Sequence, residues 1–254
     1  AAVEVVLDDG VTAGERAVAD LLGSLNMKDT PPLLVNDGEA ARPIPDPLTD
    51  RVGGSAVSPW MALDQMLIVP RQAGETLRGT VEVSDRWEWG AKVWIFGPDG
   101  LVWRSGIGPG GSEAFEIRCE QAGLHVICGD AGLANWRVSV DDAPLLMPTS
   151  VHRPMQTCGM PTPMRFYVPE GVGSFSITTR AADPEMRVTV SAPGGDPVLD
   201  VELERREQVH EVAVPNGADG TVWTVLVSRG DRDLHRTMPL YFSEEIPGMV
   251  ACAQ

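Results

Sequence analysis

The chain has 254 residues, 43% of them hydrophobic, which is enough apolar material for one large or two modest cores and too much for a disordered chain. Its formal net charge of -16 is spread along the sequence; no basic stripe is visible, so nucleic acids and anionic membrane surfaces are disfavoured as partners. The longest apolar runs, Trp60 to Leu63 and Met66 to Pro70, are far too short to span a bilayer, and no membrane span is expected.

In chain order, the opening Ala1-Ala2 is compatible with what signal-peptide removal leaves, a hint of export. Val3 to Leu7 reads as a short strand. Thr12-Ala-Gly-Glu15 has the form of a capping box, opening a helix whose Val18, Leu21, Leu22 and Leu25 share a face and which ends by Lys28. Prolines 31, 32, 43, 45, 47 and 59, mixed with Asp and Gly, then describe an extended connector that clamps across the following domain or docks on a partner. Residues 1–60 are therefore a helical, proline-rich arm.

From Leu63 onward short strands alternate with turn residues at the spacing of an antiparallel sandwich. The first set is Gln65 to Val69, Thr76 to Val83, Ala91 to Phe96, Leu101 to Ser105, Glu113 to Arg118, Gly123 to Cys128 and Asn135 to Val140. The second is Met164 to Val168, Ser174 to Thr179, Met186 to Ser191, Val198 to Glu204, Gln208 to Val214, Thr221 to Ser228 and Arg236 to Phe242. Landmarks recur at offsets of about 95 to 99 residues: Val69-Pro70 with Val168-Pro169, Pro98-Asp99-Gly100 with Pro193 to Asp196, Gly123 with Gly220. A period this long marks two whole domains, because solenoid and propeller repeats are much shorter. The expected fold is all-β, two tandem antiparallel β-sandwich domains of Ig-like or jelly-roll type at 61–143 and 161–254. Pro144, Pro148 and Pro154 mark a linker at 144–160.

Four cysteines admit three pairings. Cys119 and Cys128 flank a turn, and Cys158 and Cys252 bracket the second repeat, so Cys119 to Cys128 with Cys158 to Cys252 is the preferred pairing, with four buried thiols as the alternative. Their spacings contain no Cys-x2-Cys knuckle, so no metal centre is expected from them.

An indole face stacks on a pyranose ring while polar neighbours read its hydroxyls. Trp87 and Trp89, two apart, would project from one face of a strand together with Asp85. With Trp103 they form a candidate carbohydrate platform; the competing reading makes Trp94, Trp103, Trp136 and Trp223 core residues and Trp87 and Trp89 an edge or interface. No catalytic residues are expected: His125, His152, His210 and His235 have no local partner motif, and Gly108 to Ser112 lacks the strand-elbow-helix context of a nucleophile. Asp8-Asp9, Asp141-Asp142 and Glu244-Glu245 read as solvated charges. Loop carboxylates Asp196, Asp200, Asp231 and Asp233 are the candidates for a structural calcium, without the loop motif that would fix one. No other cofactor is expected.

The run MRFYVPEGVGSFSI, then VTVSAPGGDPVLDVE, VPNGADGTVWTVLVSRG and PLYFSEEIPGMV, over about residues 160 to 250, resembles a β-sandwich accessory module near the C-terminus of secreted bacterial glycoside hydrolases and large surface proteins. The first repeat, with AGETLRGTVEV, KVWIFGPDG and AGLHVICGDAGLANWRVSV, is similar to that module and to the bacterial pre-peptidase C-terminal jelly-roll domain. The resemblance implies a non-catalytic, secreted or cell-surface module that binds a polysaccharide or surface glycan, as the tail of a polysaccharide-acting enzyme. The alternative is a structural subunit of an extracellular filament or surface layer, assembling through residues 1–59.

Overall fold

The structure is a computed structural model that describes residues 34–36, 41–43, 46–49, 55–86, 88–132, 134–151, 154–158, 162–180, 186–229 and 238–252. The strand expected over Val3 to Leu7 and the helix expected over Thr12 to Lys28 lie outside the described residues. In the arm, β1 (Leu34–Asn36) and β2 (Ala41–Pro43) pair antiparallel, and one helical turn covers Asp46–Thr49.

From residue 55 onward every described regular element is a strand. The first series is β3 (Ser55–Val57), β4 (Met61–Ala62), β5 (Gln65–Arg71), β6 (Thr76–Val83), β7 (Ala91–Gly97), β8 (Gly100–Ile107), β9 (Ser112–Arg118), β10 (Gly123–Asp130), β11 (Asn135–Asp141) and β12 (Leu146–Pro148). The second is β13 (Met155–Thr157), β14 (Thr162–Val168), β15 (Ser174–Arg180), β16 (Met186–Ser191), β17 (Pro197–Glu202), β18 (Glu207–Ala213), β19 (Thr221–Arg229), β20 (Met238–Phe242) and β21 (Met249–Cys252). Alternation of buried and exposed residues makes these strands: in β6, Leu77, Gly79, Val81 and Val83 turn inward while Arg78 faces water. The turn between β7 and β8 uses Pro98 and Asp99 followed by Gly100 at φ 124°, a conformation in which a Cβ would be strained.

The strands form two antiparallel sheets packed face to face. The ten-stranded sheet runs β17-β16-β19-β14-β21-β12-β5-β10-β7-β8, and the nine-stranded sheet runs β18-β15-β20-β13-β4-β11-β6-β9, with β3 added beside β11. The fold is thus the expected all-β sandwich, and the repeat is written in its strand order. The series β12-β5-β10-β7-β8 is matched by β21-β14-β19-β16-β17, and β4-β11-β6-β9 by β13-β20-β15-β18. Two units share one topology.

The units meet through their equivalent strands. β12 pairs antiparallel with β21, Met147 opposite Val250, and β13 pairs with β4 at Thr157 and Met61. Antiparallel pairing of equivalent strands relates the units by an approximate twofold axis, the intramolecular form of an isologous dimer contact. Both sheets run unbroken through this seam. Residues 144–160, read from sequence as a linker, therefore contribute β12 and β13, each hydrogen-bonded to strands of both units. Side chains lock the same place: Thr149 Oγ1 donates to the Leu240 carbonyl at 2.7 Å, and the Gln156 N–H donates to Gln65 Oε1 at 3.1 Å.

One apolar core fills the space between the sheets, from Leu77, Val81 and Trp136 in the first unit through Met147 and Val250 at the seam to Phe166, Trp223 and Leu240 in the second. A second cluster lies on the outer face of the ten-stranded sheet: Met66, Ile68, Phe96, Leu124, Val126, Leu146, Met249 and Ala251, with Leu48 of the helical turn seated among them.

The expected disulfides are corrected by the structure: none of the four cysteines is bridged. Cys119 follows β9 of the nine-stranded sheet and belongs to the inner core, whereas Cys128 packs on the outer cluster beside Trp94, so the ten-stranded sheet lies between the two thiols. Cys158 follows β13 and accepts a hydrogen bond from Asn135 Nδ2 at 2.8 Å, while Cys252 faces the core from β21. Burial pushes the Cys158 and Cys252 thiols up to about 12, so both stay protonated.

Candidate functional site

The loops at one end of the first unit carry Asp85 and Trp89 of the sequence-predicted site. β6 ends at Val83 and β7 begins at Ala91, so Asp85 and Trp89 stand on a connecting loop, and the strand expected to carry them is replaced by a turn at Asp85-Arg86. Trp87 lies outside the described residues. The loop is pinned at both ends. Ser84 N–H donates to the Asn135 carbonyl at 2.9 Å, and Gly90 approaches the Ile107 carbonyl so closely that any Cβ there would collide with it. The glycine-rich β8-β9 loop closes over the same end: Val83 N–H donates to the Gly111 carbonyl at 2.9 Å, and Gly110 sits against Asp85. Glycine at these positions lets two backbones approach within the reach of no other residue.

From this pinned frame Trp89 projects with 60% of its surface exposed, flanked by exposed Asp85, Arg86 and Glu88. Trp103 is set apart from it. It lies on β8 opposite Ile95, packs against the core, and its ring centroid is 5.6 Å from that of Phe115. The Trp94 indole packs on the outer cluster, while Trp136 and Trp223 are wholly buried.

The structure adds a pair of carboxyl groups that sequence reasoning missed. Asp64, in the turn before β5, and Asp130, at the end of β10, hydrogen-bond each other; burial and the neighbouring Asp130 charge raise the Asp64 pKa. Asp130 Oδ1 also accepts from the Gly132 N–H at 3.2 Å. Because β10 ends beside the start of β7, with Asp130 opposite Lys92, this pair occupies the same end of the sandwich as Trp89. The two aspartates are far apart in sequence, and only the strand order brings them together. The arrangement offers an indole face together with carboxyl groups, which can stack on a sugar ring and bond its hydroxyls.

The other candidate chemistry is dispersed. His125 is buried in β10, where burial and Arg71 lower its pKa. The Arg71 guanidinium donates to the Asp142 and Asp141 carbonyls at 3.0 and 2.6 Å, tying β5 to the end of β11. His210 lies in the other unit, 3.3 Å from Thr179 Oγ1, and burial lowers its pKa too. His152 and His235 are outside the described residues. Of the proposed calcium ligands, Asp231 and Asp233 are also outside, and Asp200 accepts from Nε and Nη2 of Arg187, which lower its pKa. Among the described residues no group of three His, Cys, Asp or Glu side chains is placed to hold a metal ion.

No family model matches the chain, and no curated protein matches it. Among solved structures, an anti-sigma factor domain-containing protein aligns over 79% of this chain and 96% of its own, at 10% identity and a TM-score of 0.21. A superposition that loose carries no argument about either fold or activity.

Proposed function

We propose that the chain is a non-catalytic binding module of a secreted or cell-surface protein, and that it engages a polysaccharide or surface glycan through the end of the first unit that carries Trp89. The observation that carries this reading is the exposed indole on a loop fixed at both flanks. A rigid aromatic platform pays little conformational entropy on binding, and exposed Asp85 with the Asp64-Asp130 pair supplies hydroxyl partners beside it. Placement outside the cell rests on the resemblance of the second repeat to accessory modules of secreted glycoside hydrolases, and no longer draws on disulfides.

Binding to an array of soluble polysaccharides tests the proposal. Trp89→Ala is expected to weaken the retained ligand by at least tenfold with an unchanged melting temperature, a stacking contribution of about 1.4 kcal/mol or more. Equal retention of wild type and variant, or no ligand on a broad array, rejects it.

A second reading, a structural subunit of an extracellular assembly, is favoured by β8. This strand ends the ten-stranded sheet and exposes Leu101 and Val102, and an apolar edge is a template for adding another strand. Native mass measurement distinguishes the two readings: a monomer at all concentrations removes the second.

A further inference from the structure

We propose that the outer face of the ten-stranded sheet, in its first unit, is a docking surface for this chain's own segment 12–28. The outer face of a two-layer sandwich meets water unless a third layer covers it. Here Ile68, Phe96, Leu124 and Val126 are at most 2% exposed, although their side chains point away from the inner core. Among the described residues beyond the two sheets, Leu48 alone joins this cluster. It is fully buried, and its helical turn lies against β14, β19 and β21, so the chain reaches the outer face of this sheet beside the seam, on the second unit's side.

The twofold relation shows that the outer faces of the two units differ in kind. Ile68 pairs with Val126 as Tyr167 pairs with Val222, and in that register Met66 and Cys128 correspond to Arg165 and Thr224. The second unit's face is thus more polar and half-buried, with Arg165, Ser191 and Thr224 in place of an apolar floor. An apolar face on one unit calls for one apolar partner. The sequence upstream of Leu48 supplies it in Val18, Leu21, Leu22 and Leu25, which share one side of a predicted amphipathic helix. A helix of 17 residues is about 25 Å long, more than the ~10 Å needed to cross from β5 over β10 to β7. Glu15 borders the apolar side of that helix, and Lys92 stands exposed on the outer face of β7 as a cation within the same layer.

Cys128 provides a reporter, because it lies on this face while Cys119, Cys158 and Cys252 are buried in the sandwich. The rate of thiol labelling by an aromatic disulfide reagent is measured on the full chain and on Leu21→Asp/Leu22→Asp, with slow labelling of the three buried thiols marking an intact sandwich. Docking predicts at least tenfold faster labelling of Cys128 in the double variant; a rate within twofold of wild type overturns the proposal. Should the variant unfold, a protease site placed at 50–54 in the otherwise native chain is cut after folding. Co-elution of the severed segment with the body, and fast Cys128 labelling once it is removed, are the expected results. Separation without any change in labelling overturns the proposal, and so does concentration-dependent dimer formation, which would assign the face to the segment of a second copy.

Discussion

The two units share the strand order of both sheets, β3 apart, and fill the space between them differently. In the second, Phe166, Phe175, Trp223 and Phe242 form a compact aromatic group with ring centroids 4.6 to 6.4 Å apart. In the first, the bulk lies elsewhere: Trp136 reaches across to Gly129, and the Phe115 ring lies over Gly79. The same register places Ile177 and His210 where the first unit has Gly79 and Phe115. Backbone pairing sets where strands lie, and any combination of side chains that fills the volume without strain can follow. A glycine under an aromatic ring and an isoleucine beside a smaller neighbour are two solutions of one packing problem.

The sharpest way to break the comparison is to give the first unit the second unit's bulk without its compensation. A Cβ at Gly129 would stand closer than 3.0 Å to several atoms of the buried Trp136 indole, which has nowhere to retreat. Gly129→Val is expected to cost about 3 kcal/mol or more, the upper range for overpacking a filled core. Urea denaturation followed by both tryptophan fluorescence and far-ultraviolet dichroism checks the magnitude. It also checks the seam. With the core and both sheets continuous through the seam, at Met147 and Val250 in one sheet and Thr157 and Met61 in the other, the two signals should shift together in one transition, whereas independently stable domains would leave the second unit's transition in place.

A smaller effect separates the units by pH. Val69 pairs with His125 as Val168 pairs with Thr221, so a buried imidazole in one unit stands where the other has a hydroxyl. Burial and Arg71 lower the His125 pKa below the ordinary 6.5. As pH falls through 6.5 the unfolded chain takes up a proton that the folded chain refuses, so stability is lost on acidification. The limiting slope for one such proton is about 1.4 kcal/mol per pH unit. His125→Thr, borrowing the residue of the second unit, should flatten the loss of stability between pH 7 and pH 5 relative to wild type. An unchanged slope would place the acid sensitivity elsewhere.

Much of this frame is legible in the sequence, and the part that is not has a physical reason. Long strands such as Thr76–Val83 and Ser174–Arg180 announce themselves by alternation and by the turn residues that bound them. β4, β12, β13 and β21 do not. They are two to four residues long, too short for a period, and Pro148 within β12 reads as a break. It is tolerable there because its neighbour is another short strand at the seam, and only the partner's presence reveals the strand. The site behaves in the same way. Exposed Trp89 could be nominated from composition, but Trp103 differs from it only through the register of β8, and the Asp64-Asp130 pair exists only once β5 and β10 are neighbours. The cysteines were misread because sequence spacing says nothing about which face of a sheet a thiol occupies.

The smallest expected change in stability concerns the two ends of the ten-stranded sheet, and it bears most directly on assembly. β17 begins with Pro197 and carries Asp200 and Glu202, with Arg187 forked onto Asp200, whereas β8 presents Leu101 and Val102 at the opposite end. Exposed ion pairs add little to folding, so the charges on β17 are better understood as a guard against strand addition. Asp200→Val should leave the urea midpoint nearly unchanged while promoting self-association in analytical ultracentrifugation. Val102→Lys on β8 should act in the opposite sense, dispersing any oligomer that wild type forms. If Asp200→Val stays monomeric at high concentration, the charge on β17 has no guarding role, and the contrast between the two edges reduces to composition alone.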